Sequence, residues 1–219
     1  MNEMNKLNEN ESSEGWILMF DGNTTSGWRT YHGSAPPEGW KCEDGCLKCL
    51  GYGKNGGGDI VYAKDLFRDF HLKFEWRISQ GGNSGVFYMA QELPDEPIWK
   101  SAFELQILDN ESHPDAKLGM NKNRQAGSLY DLVPAEPQNS RPAGIWNSVE
   151  IISDKRKVMH FMNGEKILEY RIESESFNEL IGRSKFGSLP EFGKYREGFI
   201  GLQDHGDEVW YRNLKIRRL

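Results

Sequence analysis

From residue 71 to residue 78 the chain reads His-Leu-Lys-Phe-Glu-Trp-Arg-Ile, with apolar and polar side chains in near-strict alternation. Successive side chains of a strand point to opposite faces, whereas a helix would scatter this pattern around its circumference. Leu72, Phe74, Trp76 and Ile78 therefore share one face, and Lys73, Glu75 and Arg77 share the other. Residues 103–108 repeat the design, with Phe103, Leu105 and Ile107 on one side and Glu104 and Gln106 opposite. Strands that are greasy on one face and polar on the other belong to antiparallel sheets, because a parallel sheet needs helices on both of its faces.

Similar runs recur along the chain between Gly, Asn and Asp signals, at 16–20, 59–63, 85–89, 146–152, 158–162, 166–170, 199–203 and 208–216. Asn163-Gly164 separates two of them and accepts the positive φ angles of a tight hairpin turn. A second hairpin is predicted at Glu43-Asp44-Gly45, with Cys42 on one arm and Cys46 and Cys49 on the other. Those three cysteines lack a fourth ligand and read as small packed thiols, not as a zinc site. One short helical turn is predicted over 176–181, too brief to define the architecture. Two face-to-face antiparallel sheets follow: an all-β sandwich of jelly-roll type, in a single domain over 15–219. Residues 1–14, rich in Asn, Glu and Ser, predict a loose N-terminal arm. The long segment 110–144 exceeds ordinary loop length and predicts a cleft wall, or hidden strand structure around 127–132.

The charge balance narrows the partners. A formal charge of −6 argues against a nucleic-acid backbone or an anionic membrane. Apolar runs fall short of the roughly 20 residues that cross a bilayer, and no basic, apolar leader opens the chain. The oligomeric state leaves no mark in the sequence.

Chemistry is sought where polar faces of several strands converge. Glu104 and Gln106 project together from one strand, Glu75 and Arg77 from another, and Gln203 and His205 share a face near a strand's end. Each alone also fits a solvated outer face, and a lone histidine is more often structural than catalytic. Together, carboxylates and amides beside aromatic rings suit a sugar, whose hydroxyls want donors and acceptors and whose C–H face stacks on an aromatic ring. Asn83, Ser84, Tyr130, Trp99, Trp146 and Asn147 can supply such contacts, although core packing serves Trp146 equally well. Simple alternation puts Arg212 on the face of Leu214 and Ile216, where it would need an ion-pair partner.

In order, Phe20-Asp21-Gly22, Gly27-Trp28, the strand leading into Asn83-Ser84-Gly85, Glu104-Leu105-Gln106-Ile107-Leu108-Asp109, Gly127-Ser128-Leu129-Tyr130, Trp146-Asn147, Asn163-Gly164, Gly201-Leu202-Gln203-Asp204-His205-Gly206 and Arg212-Asn213 resemble the 3-keto-disaccharide hydrolase family over residues 15–219. The resemblance implies a concanavalin-like sandwich, often exported to the bacterial periplasm or envelope, acting on glycosides oxidised at C3. A C3 carbonyl acidifies the hydrogen on C2, so a base can remove it, the enolate can expel the C1 substituent, and water can add to the double bond. Glu104, Asp109 and His205 are the candidate bases and acids. Glu75, Arg77, Asn83, Ser84, Gln106, Tyr130, Trp146, Asn147, Gln203, Asp204 and Arg212 are the candidate substrate contacts. Arg77, Arg212 or a divalent cation would meet the enolate; Glu75, Glu104, Asp109, His113 and His205 offer ligands, but no tight motif demands a metal. Two alternatives stay open: a retaining glucanase with paired carboxylates, and a carbohydrate-binding module with no titrating group.

Overall fold

The computed structural model describes residues 4–53 and 55–219. Its strands are β1 (Ile17–Leu18), β2 (Trp28–Thr30), β3 (Trp40–Glu43), β4 (Cys46–Leu50), β5 (Ile60–Tyr62), β6 (Phe70–Ile78), β7 (Asn83–Ala90), β8 (Phe103–Leu108), β9 (Asn147–Asp154), β10 (Lys157–Met162), β11 (Glu165–Arg171), β12 (Phe199–Leu202) and β13 (Glu208–Arg218). Among the described residues two α-helices, α1 (Glu9–Ser13) and α2 (Glu175–Arg183), and two short 3-10 turns, Ile98–Lys100 and Pro114–Lys117, stand outside the sheets. The larger sheet runs β11-β10-β9-β6-β13-β4-β3, with β1 added against β13. The smaller runs β2-β5-β12-β7-β8. Every pairing is antiparallel, and the sheets pack face to face as the alternation predicts. No helix among the described residues is long and apolar enough to cross a membrane.

The core lies between the inner faces. Leu72, Phe74, Trp76 and Ile78 of β6 meet Phe103, Leu105 and Ile107 of β8 there, all buried. His160 also sits inside, its ring bonded to Tyr88 Oη at 3.0 Å and to the Gly127 carbonyl at 3.0 Å. Tyr88 Oη reaches Tyr170 Oη at 2.7 Å, so a polar chain is satisfied within the apolar layer. The three cysteines are free thiols on the predicted β3–β4 hairpin, whose turn bends through Asp44 and Gly45 at φ 51° and 70°.

Two expectations change on contact with the structure. Residues 4–14 do not hang loose: Asn5 and Asn213 exchange backbone-to-side-chain hydrogen bonds at 2.7 and 2.8 Å, Glu11 pairs with Lys215, and Arg217 with Glu14 at 2.8 Å. Polar composition hides this, because the arm docks by hydrogen bonds and ion pairs where apolar burial was sought; residues 1–3 lie outside the described residues. Arg212, in turn, does not share the face of Leu214 and Ile216. The β13 register slips by one residue between Arg212 and Lys215, and Asn213 takes φ 54°. This bulge turns Arg212 outward while Leu214 and Ile216 stay buried.

Segment 110–144 does hide strand-like structure. Residues 127–130 lie along the open edge of β8, with Gly127 donating to the Gln106 carbonyl at 2.8 Å and Tyr130 to the Glu104 carbonyl at 3.0 Å. The edge strand is thereby covered, and Tyr130 is carried to the polar side of the sheet. The helix falls near its predicted place and runs slightly longer. Ser174 caps it through a 3.2 Å bond from Phe177 N–H, and Phe177 stacks on Tyr170 at 4.7 Å between centroids. Anchored so, α2 delivers the segment that begins at Ser184 back over the outer face of the smaller sheet.

Candidate active site

On that outer face, a cavity of about 400 Å³ is lined by Asn83, Glu104, Gln106, Tyr130, Gln203 and His205, with Lys185, Phe186 and Leu189 as its roof and Trp99 at its rim. The register explains the gathering. Gly85 pairs with Gln106 and Phe87 with Glu104, so these four share the face turned away from the core. Gln203 donates its backbone N–H to the Gly85 carbonyl at 3.0 Å and extends the row.

Glu104 is only 7% exposed. Its carboxylate lies across Gly85, where an added Cβ would stand 2.2 Å from Oε1, so only glycine leaves room. Burial pushes the Glu104 carboxyl up to about 8; nearby Lys185 opposes the rise, the charges of Asp59 and Asp115 reinforce it, and a Gln203 hydrogen bond restrains it. Lys185 has the complementary environment: burial lowers its ammonium, while Glu104 and Asp131 favour the charged form. Its Nζ sits 4.0 Å from the centroid of the Tyr130 ring, and its backbone N–H donates to Asp131 Oδ2 at 3.1 Å. Behind it Arg124 holds Asp115 at 2.9 Å and Asp131 at 2.6 Å, and Tyr130 Oη donates to Asp115 at 2.8 Å. Burial alone would raise the Asp115 carboxyl, but the Tyr130 and Arg124 contacts hold it below its usual range.

Around this pair stand three amide oxygens, Asn83 Oδ1, Gln106 Oε1 and Gln203 Oε1, buried and without a hydrogen-bond partner among the described residues. Orphaned acceptors are costly in a folded protein and call for donors from a bound molecule. A polyol supplies donors of that kind.

Of the candidate residues, the structure brings together Glu104, Gln106, Asn83, Tyr130, Gln203 and His205. It sends the others elsewhere. Asp109 accepts from the N–H groups of Gly81 at 2.8 Å and Glu111 at 3.1 Å; burial would raise its carboxyl, but these bonds hold it low. It closes the loops past β8 because it lies on the opposite parity from Glu104. Ser84 faces the core, donating to the Gln203 carbonyl at 2.7 Å and touching Tyr211 Oη at 2.9 Å. Asp204 turns into a glycine cradle, accepting from Gly53 and Gly58 N–H at 3.0 Å each; a Cβ at Gly57 would fall 1.9 Å from its Oδ2. Asn147 is tied to Asn163 Nδ2 and the Arg141 N–H.

Glu75, Arg77, Trp146 and Arg212 lie on the outer face of the other sheet, across the whole core from Glu104. There Arg212 pairs with Glu75 at 2.6 Å and covers Trp146 at 4.0 Å, while Arg77 sits between Trp146 and Trp210. Two sheets present two polar outer faces, and alternation within a strand does not say which polar faces meet. With Glu75 gone from the set, the described residues contain no group of three or more His, Cys, Asp or Glu that could hold a metal ion. His113 and His205 remain neighbours, with ring centroids 6.4 Å apart.

Sequence reasoning missed Lys185, whose stretch Ser184-Lys185-Phe186 carries no periodic signal. It also passed over Asp59. Continuing the β5–β12 register by one residue past Leu202–Ile60 sets Asp59 beside Gln203 on the pocket face, and the Asp204 N–H donates to its Oδ1 at 3.0 Å. Burial lifts the Asp59 carboxyl to about 7, against that hydrogen bond and with help from the Asp204 charge. The Gly-Gly-Gly-Asp run at 56–59 was the available clue.

Known proteins bear on this site. Residues 15–217 match a family model described as a 3-keto-α-glucoside-1,2-lyase-like domain. A Bacteroides thetaiotaomicron protein named 3-keto-disaccharide hydrolase is 43% identical, with 99% of this chain and 83% of its own length aligned. A Parabacteroides distasonis crystal structure, provisionally assigned to the glycosyl hydrolases, superimposes with a TM-score of 0.89 at 29% identity, covering 99% of this chain and 100% of that one. A Bacillus subtilis protein of galectin-like fold, at 15% identity and a TM-score of 0.54, covers 87% of this chain and 89% of its own and shares the fold alone.

Proposed function

The chain belongs to the 3-keto-α-glucoside-1,2-lyase-like family, and from that premise we propose that its Glu104 pocket cleaves glycosides whose sugar carries a C3 carbonyl. It is an enzyme that acts on glycosides. What carries the finer reading is one juxtaposition: a buried carboxyl and a half-buried lysine in a single cavity ringed by unpartnered amide acceptors.

In this reading the sugar hydroxyls donate to Asn83, Gln106 and Gln203, which fixes the ring over Glu104. The Glu104 carboxylate takes the proton from C2, and the pair of electrons moves toward the C3 oxygen. Its raised pKa makes it a stronger base than an ordinary carboxylate, matched to a weakly acidic C–H. The Lys185 ammonium meets the developing enolate oxygen, a role the sequence had offered to Arg77 or Arg212. Collapse of the enolate forms the C1–C2 double bond and breaks the bond from C1 to the leaving oxygen, which His205 protonates. Water then adds its oxygen to C1 while a proton returns to C2, so the sum is hydrolysis. The glucanase alternative loses its second carboxylate, since Asp109 is committed to the loop N–H groups.

The test compares a disaccharide with its 3-keto form. Cleavage of the oxidised substrate alone supports the proposal; comparable cleavage of the ordinary disaccharide refutes it, and binding without cleavage of either favours a carbohydrate-binding module.

A further inference from the structure

The far end of the sandwich holds a second cavity, of about 440 Å³. Met89, near the end of β7, belongs to it, whereas Asn83, at the start of β7, belongs to the Glu104 pocket. Six residues of strand separate them by roughly 20 Å. Five cations surround this second cavity: Arg68, Lys155, Arg156, Arg171 and Arg196. In a chain of net charge −6 that concentration is against the general balance.

The local acids do not neutralise it. Glu173 is shared between Arg156, at 3.0 Å, and Arg196. Glu197 approaches Arg68 only to 3.9 Å, and Asp69 spends one carboxylate oxygen on the Lys155 backbone N–H at 3.0 Å. No carboxylate among the described residues pairs with the side chains of Lys155 or Arg171, and Arg196 Nε is buried without a partner.

The backbone supplies a separate observation. Lys155 and Arg156 form the β9–β10 turn with φ 47° and 74°, a left-handed conformation that long side chains adopt at a cost in strain. The next hairpin uses Asn163-Gly164, the comfortable pair for such a turn. The chain thus keeps two cations where the easier residues would carry none. Beneath them the buried side chains of Met89 and Ile172 make an apolar floor.

We propose that this cavity is an accessory binding site for a small organic oxyanion, a sulfate or phosphate ester, with the anion on the Lys155–Arg171 rim and its carbon skeleton over Met89 and Ile172. Arginine forks match such oxyanions, and the volume suits one sugar-sized ligand.

Calorimetric titration with glucose 6-sulfate, glucose 6-phosphate and glucose tests this. Saturable binding of either ester, with glucose at least tenfold weaker, is expected, and the tighter ester identifies the source of the anion. The exposed pair Lys155→Glu with Arg171→Glu should weaken the ester at least tenfold while cleavage in the Glu104 pocket is unchanged. Glu104→Gln should bind the ester like the parent, which separates this inference from the fate of the proposed reaction. Absence of saturable binding, equal binding of glucose, an affinity unmoved by the charge reversals, or loss of binding in Glu104→Gln would each overturn it.

Discussion

Replacing Glu104 by Gln removes one ionisation while keeping the shape of a side chain that is almost wholly buried. In the folded protein that carboxyl titrates at about 8, against an ordinary value of 4.5. Between those two pH values the folded state keeps its proton and the unfolded chain has lost it, so raising the pH favours unfolding. Linkage then gives a loss for the parent of roughly 4 kcal/mol between pH 5 and pH 9, at about 1.4 kcal/mol per tenfold change in proton activity where the two states differ fully. The Gln variant has no such loss. Urea unfolding followed by tryptophan fluorescence should show similar stabilities near pH 5 and a variant ahead by several kcal/mol at pH 9. For a chain of this size that corresponds to a gap on the order of 10 °C in Tm. Parallel stability profiles for the two proteins would refute the reasoning, because they would mean that Glu104 ionises in the folded state as it does in water.

Activity should track the same group: kcat/KM for a 3-keto glycoside should rise with pH and level off near 8 if the Glu104 carboxylate is the base, and a rate that falls over that range would assign it the acid's role instead. Lys185→Met should lower kcat on the order of 10²-fold with a smaller change in KM, since its charge is needed most as the enolate forms; steady-state kinetics reads the split. Gly85→Ala should cost activity on a similar scale and about 1–3 kcal/mol of stability, because its methyl would meet Glu104 Oε1 at 2.2 Å; rates near the parent's would show that the carboxylate is free to move. His160, held neutral by burial with its pKa lowered to about 4, should keep the NMR shifts of a neutral ring until the pH approaches that value. The unfolded chain protonates this residue earlier, near 6.5, so stability should fall as the pH drops from 6.5 toward 4.

Alternation made the sandwich readable because each strand declares its own inner face: Phe74 and Leu105 could be placed in the core from spacing alone. The same spacing could not say that the outer faces of β6 and β8 look in opposite directions. Glu75 and Arg77 therefore entered the reading beside Glu104, and the fold separates them by the thickness of two sheets. Arg212 went astray for a different reason, since a one-residue bulge at Asn213 inverts parity and nothing in the alternation announces it. Lys185 was invisible because its place depends on a tertiary path, from the Ser174 cap through the buried Phe177 to the Asp131 contact. Asp59 reads only as the first residue of the 59–63 strand run, and the glycines before it carry no site reading, although they are needed where the Asp204 carboxylate comes within 1.9 Å of a Cβ at Gly57.

The most direct measurement is hydrogen exchange at C2 of a 3-keto glycoside in deuterated water, followed by NMR. The parent enzyme should place deuterium at C2 of the sugar it releases, and Glu104→Gln should bind the substrate yet leave that hydrogen in place. Cleavage by the parent with the original C2 hydrogen retained would contradict the account.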